Sequence, residues 1–190
     1  MSVSPTEAED SIASPRHGPA GVDTIAIVLA GGEGSRLRPL TERQCKPAVP
    51  FVGSTRIVDF AIANLANSGI RRILVLAQYK PDSLVEHLDR HWAPMFAASG
   101  RSLRVVMPRS DAPADRFVGT ADAVAKSSGH WMMQRPRWVA IFAADQVYRM
   151  DVSQMLAAHR RAGAGITVAA MPVPLAEAFY QAPAPDFARI

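Results

Sequence analysis

The chain has 190 residues, 48% of them apolar and 20% charged, with a formal net charge of +4, the balance of a globular domain with enough chain to bury a core. No apolar stretch approaches the roughly 18 residues of a membrane span, and the single cysteine, Cys45, excludes an internal disulfide framework and a Cys-based structural zinc site. The basic excess is mild and scattered, with pairs such as Arg71-Arg72 and Arg160-Arg161 but no run, so neither nucleic acid nor a membrane is expected as a partner.

Residues 1–22 hold Glu7, Glu9 and Asp10 against Arg16 and few large apolar groups. They are expected to form a disordered tail, because little burial offsets the ordering entropy. They lack the cationic end and apolar stretch of a signal peptide, and a reducing cytoplasm is the expected location. The body opens on Thr24-Ile-Ala-Ile-Val-Leu-Ala30, a short apolar run of the kind a strand buried on both faces requires. Similar runs at residues 72–77, 103–107, 138–143 and 166–171 predict four more strands. Between them, residues 57–68 place Val58, Ala61, Ile62 and Leu65 on one helical face, with Gly69 as a stop. Further helices are predicted over residues 81–91, which Pro81 opens, over 120–132, and over 152–162, which Asp151 caps and Gly163 ends. Strands alternating with helices predict an α/β domain with a mainly parallel sheet and helices on both faces. Ligands in such folds sit beyond the carboxyl ends of the strands. Residues 176–190 carry neither periodicity and are expected to be an irregular tail.

The strongest local signal is Leu29-Ala-Gly-Gly-Glu-Gly-Ser-Arg-Leu-Arg38, directly after the first predicted strand. Gly31, Gly32 and Gly34 let the backbone turn tightly and bring N–H groups near an anion. Arg36 and Arg38 offer guanidinium forks suited to phosphate oxygens, and Lys46 in Cys45-Lys-Pro-Ala-Val49 adds a compact charge. A Walker loop is excluded because no Gly-Lys-Ser/Thr closes the turn. A dinucleotide fingerprint lacks both its third glycine and an acidic residue at the end of the second strand, where Leu76-Ala-Gln78 stands.

With Lys46-Pro47 downstream, this loop resembles that of the sugar-1-phosphate nucleotidyltransferases. Arg56-Ile-Val-Asp-Phe60, Asn67-Ser-Gly-Ile70, Gln78-Tyr79, Gly119-Thr-Ala-Asp-Ala123, Ala144-Asp-Gln-Val-Tyr-Arg-Met-Asp151 and Met171-Pro-Val-Pro174 follow in family order. Within that family they are similar to the glucose-1-phosphate adenylyltransferase branch. The resemblance implies a Rossmann-like nucleotide-diphospho-sugar transferase fold over residues 23–175, incomplete at the carboxyl end, and transfer of a nucleotidyl group from ATP to glucose 1-phosphate, giving ADP-glucose and pyrophosphate. It implies a nucleotide site of Leu29, Ala30, Gly31, Gly32, Gly34, Ser35, Gln78, Gly119, Thr120 and Ala121. Arg36 would stabilise the leaving pyrophosphate, Lys46 would add charge on the phosphates, and Asp145 would hold Mg²⁺. A homo-oligomer, or association with a longer homologue, is also implied.

Other readings stand beside these. Asp145 could simply start a loop, and Gln78 could be an ordinary polar residue at a strand end. Asp59 is expected to be structural, paired with Arg56 three residues earlier. His91-Trp92 and His130-Trp131 are expected to pack at helix ends, and Cys45 to be a small buried apolar group. The sequence also departs from the family. Gln146 replaces the usual histidine after the metal aspartate, and Phe117 stands near the usual Trp-Tyr pair, which weakens adenine specificity. The family's Glu-Lys-Pro segment, second metal aspartate and left-handed β-helix have no match here. The expectation is therefore the nucleotide half of a site. Alternatives are another nucleotidyltransferase using UTP, dTTP or GTP, or a non-catalytic nucleotide-binding protein docking on a longer subunit.

Overall fold

The computed structural model describes residues 21–170 except Glu33 and Asp111, so residues 1–20 of the tail expected over 1–22, and the tail expected over 176–190, lie outside the described residues, whereas Gly21 is buried and the Val22 carbonyl accepts from Arg72 Nη2 at 3.0 Å. In chain order the elements are β1 (Thr24–Leu29), 3₁₀ turns at Ser35–Leu37 and Lys46–Ala48, β2 (Pro50–Val52), β3 (Thr55–Arg56), α1 (Ile57–Asn67), β4 (Arg72–Leu76) and α2 (Asp82–His87). A π turn at Leu88–Trp92 leads into α3 (Ala93–Ala98), followed by β5 (Ser102–Val106), α4 (Thr120–Lys126), α5 (Ser128–Trp131), a 3₁₀ turn at Met132–Gln134, β6 (Trp138–Ala143) and α6 (Val152–Ala162). Backbone contacts divide the chain into two units after Gln154, a boundary inside the single domain expected over 23–175.

The first unit holds a sheet in the order β5-β4-β1-β6, with every neighbouring pair parallel, and a separate antiparallel hairpin of β2 and β3. β1 is central, and Ile25, Ala26, Ile27 and Val28 are fully buried, which is why this run shows no polar alternation. Ile25 and Ile27 join Leu74, Leu76 and Val106 in a core cluster on one face, covered by Ala123 and Val124 of α4 and by Trp131. Ala26, Val28, Ile73 and Val75 point the other way under strand alternation and are equally buried, so both faces are covered, as an α/β sheet requires. On β6, an edge strand among the described residues, Val139 and Ile141 remain 37% and 50% exposed.

Two predicted helices differ from what forms. The one expected over 81–91 continues to Ala98, because the π turn absorbs an extra residue and lets Pro94 begin a new helical turn. The one expected over 120–132 breaks at Ser127, where the hydroxyl bonds back to the Val124 carbonyl and competes with the helical ladder. The strand expected over 166–171 does not form across residues 166–170. An apolar run becomes a strand only where a ladder partner exists, and Ile166 and Val168 are 84% and 79% exposed. No helix among the described residues is long and apolar enough to cross a membrane.

α1 sets the position of the chain after β6. Asn64, nearly buried, donates through Nδ2 to the Tyr148 carbonyl at 3.0 Å and accepts at Oδ1 from the Met150 N–H at 3.2 Å. Ser68 Oγ accepts from the Val152 N–H at 2.8 Å, and Asp151 caps α6 through the Ser153 N–H at 2.9 Å. Replacing Asn64 by alanine leaves two backbone groups unpaired, and we expect a loss of about 2 kcal/mol in urea unfolding. Asn64→Asp, which keeps only the acceptor, is expected to fall between the two.

Candidate functional site

β1, β4 and β6 run parallel in matched register, Leu29 opposite both Leu76 and Ala143, so their carboxyl ends open at one level. After β1 the chain proceeds outward to β4 and then β5, and it returns to the opposite side of β1 for β6. Such a reversal leaves a crevice between neighbouring strands. Main-chain bonds continue past the strands and hold its rim, from the Ala30 N–H to the Leu76 carbonyl at 2.8 Å and from the Ala144 N–H to the Leu29 carbonyl at 2.9 Å.

A cleft of about 740 Å³ occupies this position, a size suited to a small-molecule ligand. Leu29, Ala30, Gly31, Gly32, Gly34, Ser35 and Arg36 line it from the glycine loop, Lys46 from the following 3₁₀ turn, and Gln78 from the end of β4. Gly119, Thr120 and Phe117 line it from the start of α4, and Asp145 from the end of β6. Of the residues implied for the nucleotide, Ala121 is outside the lining, and Arg38 of the predicted arginine pair is outside it too.

The glycine loop takes its shape from Gly34, which sits in the left-handed region at φ +64°, and a Cβ there would meet Lys46 Cβ and Thr41 Cγ2 at 3.0 Å each. Thr41, 3% exposed, donates its hydroxyl to the Gly34 carbonyl at 2.8 Å, and the Leu37 N–H donates to the same oxygen at 2.9 Å. A buried threonine hydroxyl thus ties down the turn that the glycine permits. Nothing in the motif spacing singled Thr41 out; its only signal is a polar side chain next to a glycine-rich turn.

Lys46 Nζ donates to Asp145 Oδ2 at 2.9 Å across 99 residues of sequence, with the two side chains 30% and 41% exposed. The turn that carries Lys46 is braced from behind by Arg56, whose Nη1 donates to the carbonyls of Ala48 at 3.2 Å and Ser83 at 3.0 Å. Arg56 is held in turn through its backbone N–H, which donates to Asp59 Oδ2 at 2.7 Å. The expected Arg56–Asp59 pairing therefore runs through the main chain, not the guanidinium. Asp59 Oδ1 faces His87 Nε2 and accepts from Trp92 Nε1, each at 2.7 Å. Trp92 thus serves as a hydrogen-bond donor as well as packing at a helix end. Cys45 is fully buried as expected, and burial pushes its thiol above the usual range.

Gln78 lines the cleft with its amide spoken for. Its Oε1 accepts from the Phe117 N–H, and its Nε2 donates to the Phe117 carbonyl at 3.3 Å. Asp122 Oδ2 accepts from the Val118 N–H at 2.7 Å and from Lys126 Nζ at 3.0 Å, and Lys126 also donates to the Arg116 carbonyl at 2.6 Å. The Phe117 wall is therefore stapled from both sides. The Val118 N–H, first, and Lys126 hold the partly exposed Asp122 carboxyl below the usual carboxylate range. That staple is complete above the ordinary carboxylate pKa and is lost as pH falls through the lowered one. Gly119, between this wall and α4, adopts φ +88° with open space where a Cβ would lie. Its backbone demands glycine irrespective of any ligand.

Among the described residues, the cleft brings the glycine loop together with two cations, Arg36 and Lys46, and one carboxylate, Asp145, an arrangement chemically suited to a polyanion. Among the described residues no group of His, Cys, Asp and Glu forms a metal cluster. Asp145 alone suits a hard cation that draws its remaining ligands from phosphate and water.

A family model for nucleotidyl transferases matches residues 25–180. The chain is 47% identical over 154 residues to a glucose-1-phosphate adenylyltransferase of Anaeromyxobacter sp. (strain Fw109-5), covering 81% of this chain and 37% of that protein. It is 44% identical over 158 residues to glucose-1-phosphate adenylyltransferase 2 of Vibrio parahaemolyticus, covering 82% and 39%. With a glucose-1-phosphate adenylyltransferase of Streptomyces avermitilis the identity is 46% over 157 residues, covering 83% and 38%. The chain thus spans less than two fifths of the length of these curated relatives.

Gly34→Ala forces a Cβ into a left-handed turn against Lys46 and Thr41, and we expect a loss of about 1–2 kcal/mol in denaturant unfolding. Thr41→Val, which keeps the shape and removes the donor, is expected to cost about 1 kcal/mol in the same measurement.

Proposed function

Because the chain belongs to the nucleotidyl transferase family, we propose that its cleft binds the triphosphate and base of ATP as the nucleotide half of a site that joins ATP and glucose 1-phosphate into ADP-glucose and pyrophosphate. The observation that supports this reading most is the meeting of the glycine loop, Arg36, Lys46 and Asp145 on one cleft at the carboxyl ends of β1 and β6. In the reaction, a phosphate oxygen of the sugar phosphate attacks the α-phosphorus, and the bond from that phosphorus to the bridging oxygen of the β-phosphate breaks. The protein's part is to align the two reactants and neutralise charge.

In this reading Gly31, Gly32 and Gly34 present main-chain N–H groups to the phosphates, Arg36 meets the departing pyrophosphate, and Lys46 moves onto a phosphate oxygen. Phe117 and Gly119 form the wall for the base and ribose, with Gln78 bracing that wall rather than reading the base. Asp145 would hold Mg²⁺, which would supply positive charge to offset that of the phosphates.

One observation favours a broader nucleotide choice. With the Gln78 amide committed to the Phe117 backbone, the side chain left to meet a base on that wall is the aromatic ring of Phe117, which lines the cleft, and stacking on an aromatic ring does not discriminate strongly among bases. A second reading is therefore a transferase that also takes UTP, dTTP or GTP.

Calorimetric titration of the chain with ATP and Mg²⁺ tests the nucleotide reading. We expect binding that weakens about tenfold, or about 1.4 kcal/mol, in Arg36→Ala; no binding at millimolar ATP would refute it. A panel of the other triphosphates in the same titration decides between narrow and broad base choice, and pyrophosphate release with glucose 1-phosphate tests the transfer itself.

A further inference from the structure

Asp145 has two claimants: the cation expected with a triphosphate, and Lys46, which already sits on its Oδ2 at 2.9 Å. We propose that Lys46 is the resident counter-ion of Asp145 and keeps free divalent cations off the carboxylate, so that the metal enters the cleft with the triphosphate rather than ahead of it. This rests on the nucleotide reading given above.

Three observations carry it. First, Asp145 is the one carboxylate among the described residues lining the cleft, whereas Arg36 and Lys46 both line it as cations. Among the described residues the lining therefore carries two cations against one carboxylate, a balance that repels a bare dication and attracts a polyanion that carries one. Second, a divalent cation at a coordination distance of about 2.0–2.6 Å from the same carboxylate would lie within a few ångströms of the ammonium, in a setting where both side chains are more than half shielded from water. Carboxylate, ammonium and dication cannot share that space without strong like-charge repulsion. Third, the Lys46 backbone is fixed. The Val49 N–H donates to the Lys46 carbonyl at 3.1 Å, and Arg56 grips the Ala48 carbonyl next along the turn. Only the four-carbon stem can swing, and it needs a new anion to swing to. A triphosphate provides one in the same cleft. Its phosphate oxygens accept the ammonium as the metal it carries takes the freed carboxylate, so each cation exchanges one oxyanion for another.

The test uses Mn²⁺ alone as the probe, with free Mn²⁺ followed by electron paramagnetic resonance in the absence of nucleotide. The parent chain, Lys46→Met, Lys46→Gln, Asp145→Asn and the Lys46→Met/Asp145→Asn pair are compared, each first shown by circular dichroism to keep the parent's fold. Two replacements of different polarity guard against one of them failing to fold. We expect at least fivefold tighter Mn²⁺ binding in both Lys46 variants, a gain abolished when Asp145→Asn is added. Unchanged or weaker Mn²⁺ binding in the folded Lys46 variants overturns the proposal, as does a gain that survives loss of the Asp145 carboxylate. A parallel titration of the parent chain with ATP and Mg²⁺ reports on the nucleotide reading alone. ATP bound with no Lys46 effect on Mn²⁺ sinks this inference and spares that reading, whereas absent ATP binding sinks that reading.

Discussion

The level carboxyl ends of three parallel strands are the constraint on which everything else depends. β1 is buried on both faces and pairs with β4 on one side and β6 on the other, Leu29 facing Leu76 and Ala143. The ladders fix the heights at which the chain leaves each strand. The glycine loop, Gln78 and Asp145 therefore emerge side by side although scores of residues separate them in sequence. A one-residue slip of β6 would flip its side chains to the other face and move Asp145 away from Lys46.

The loops around the cleft are held largely by polar side chains that clasp backbone. Thr41 grips the Gly34 carbonyl, Arg56 those of Ala48 and Ser83, Gln78 both polar groups of Phe117, and Asp122 the Val118 N–H. Irregular segments need this, because loop backbone near a cleft has no ladder to satisfy it. The residues that shape the site are thus distinct from the ones that would touch a ligand, and removing one exposes an unpaired main-chain group.

This division explains what was legible in the sequence. β1 and β6 were readable because an unbroken apolar run has few other uses, and α1 because its apolar spacing is helical. The glycine loop, Arg36, Lys46 and Asp145 were singled out by residue type and order, and the structure brings them to one cleft. The clasps were not. Thr41 and Asp122 are ordinary polar residues whose importance comes from the carbonyl or N–H opposite, which only the folded chain selects. Asp59 was expected to pair with Arg56 three residues away, yet its side-chain partners His87 and Trp92 lie 28 and 33 residues downstream, beyond the reach of local spacing rules. The run at 166–171 shows the converse, since apolar composition favours a strand but cannot supply the neighbour that a strand requires.

Helix α1 carries a mechanical consequence. Arg56, at its start, grips the turn bearing Lys46, while Asn64 and Ser68, at its far end, grip the chain that follows Asp145. Both members of the ion pair are thus moored to one stiff rod. If thermal motion slides or tilts that rod, lysine and aspartate are carried along together, and the gap between them fluctuates less than the position of either. Distance, rather than location, is the quantity this helix conserves.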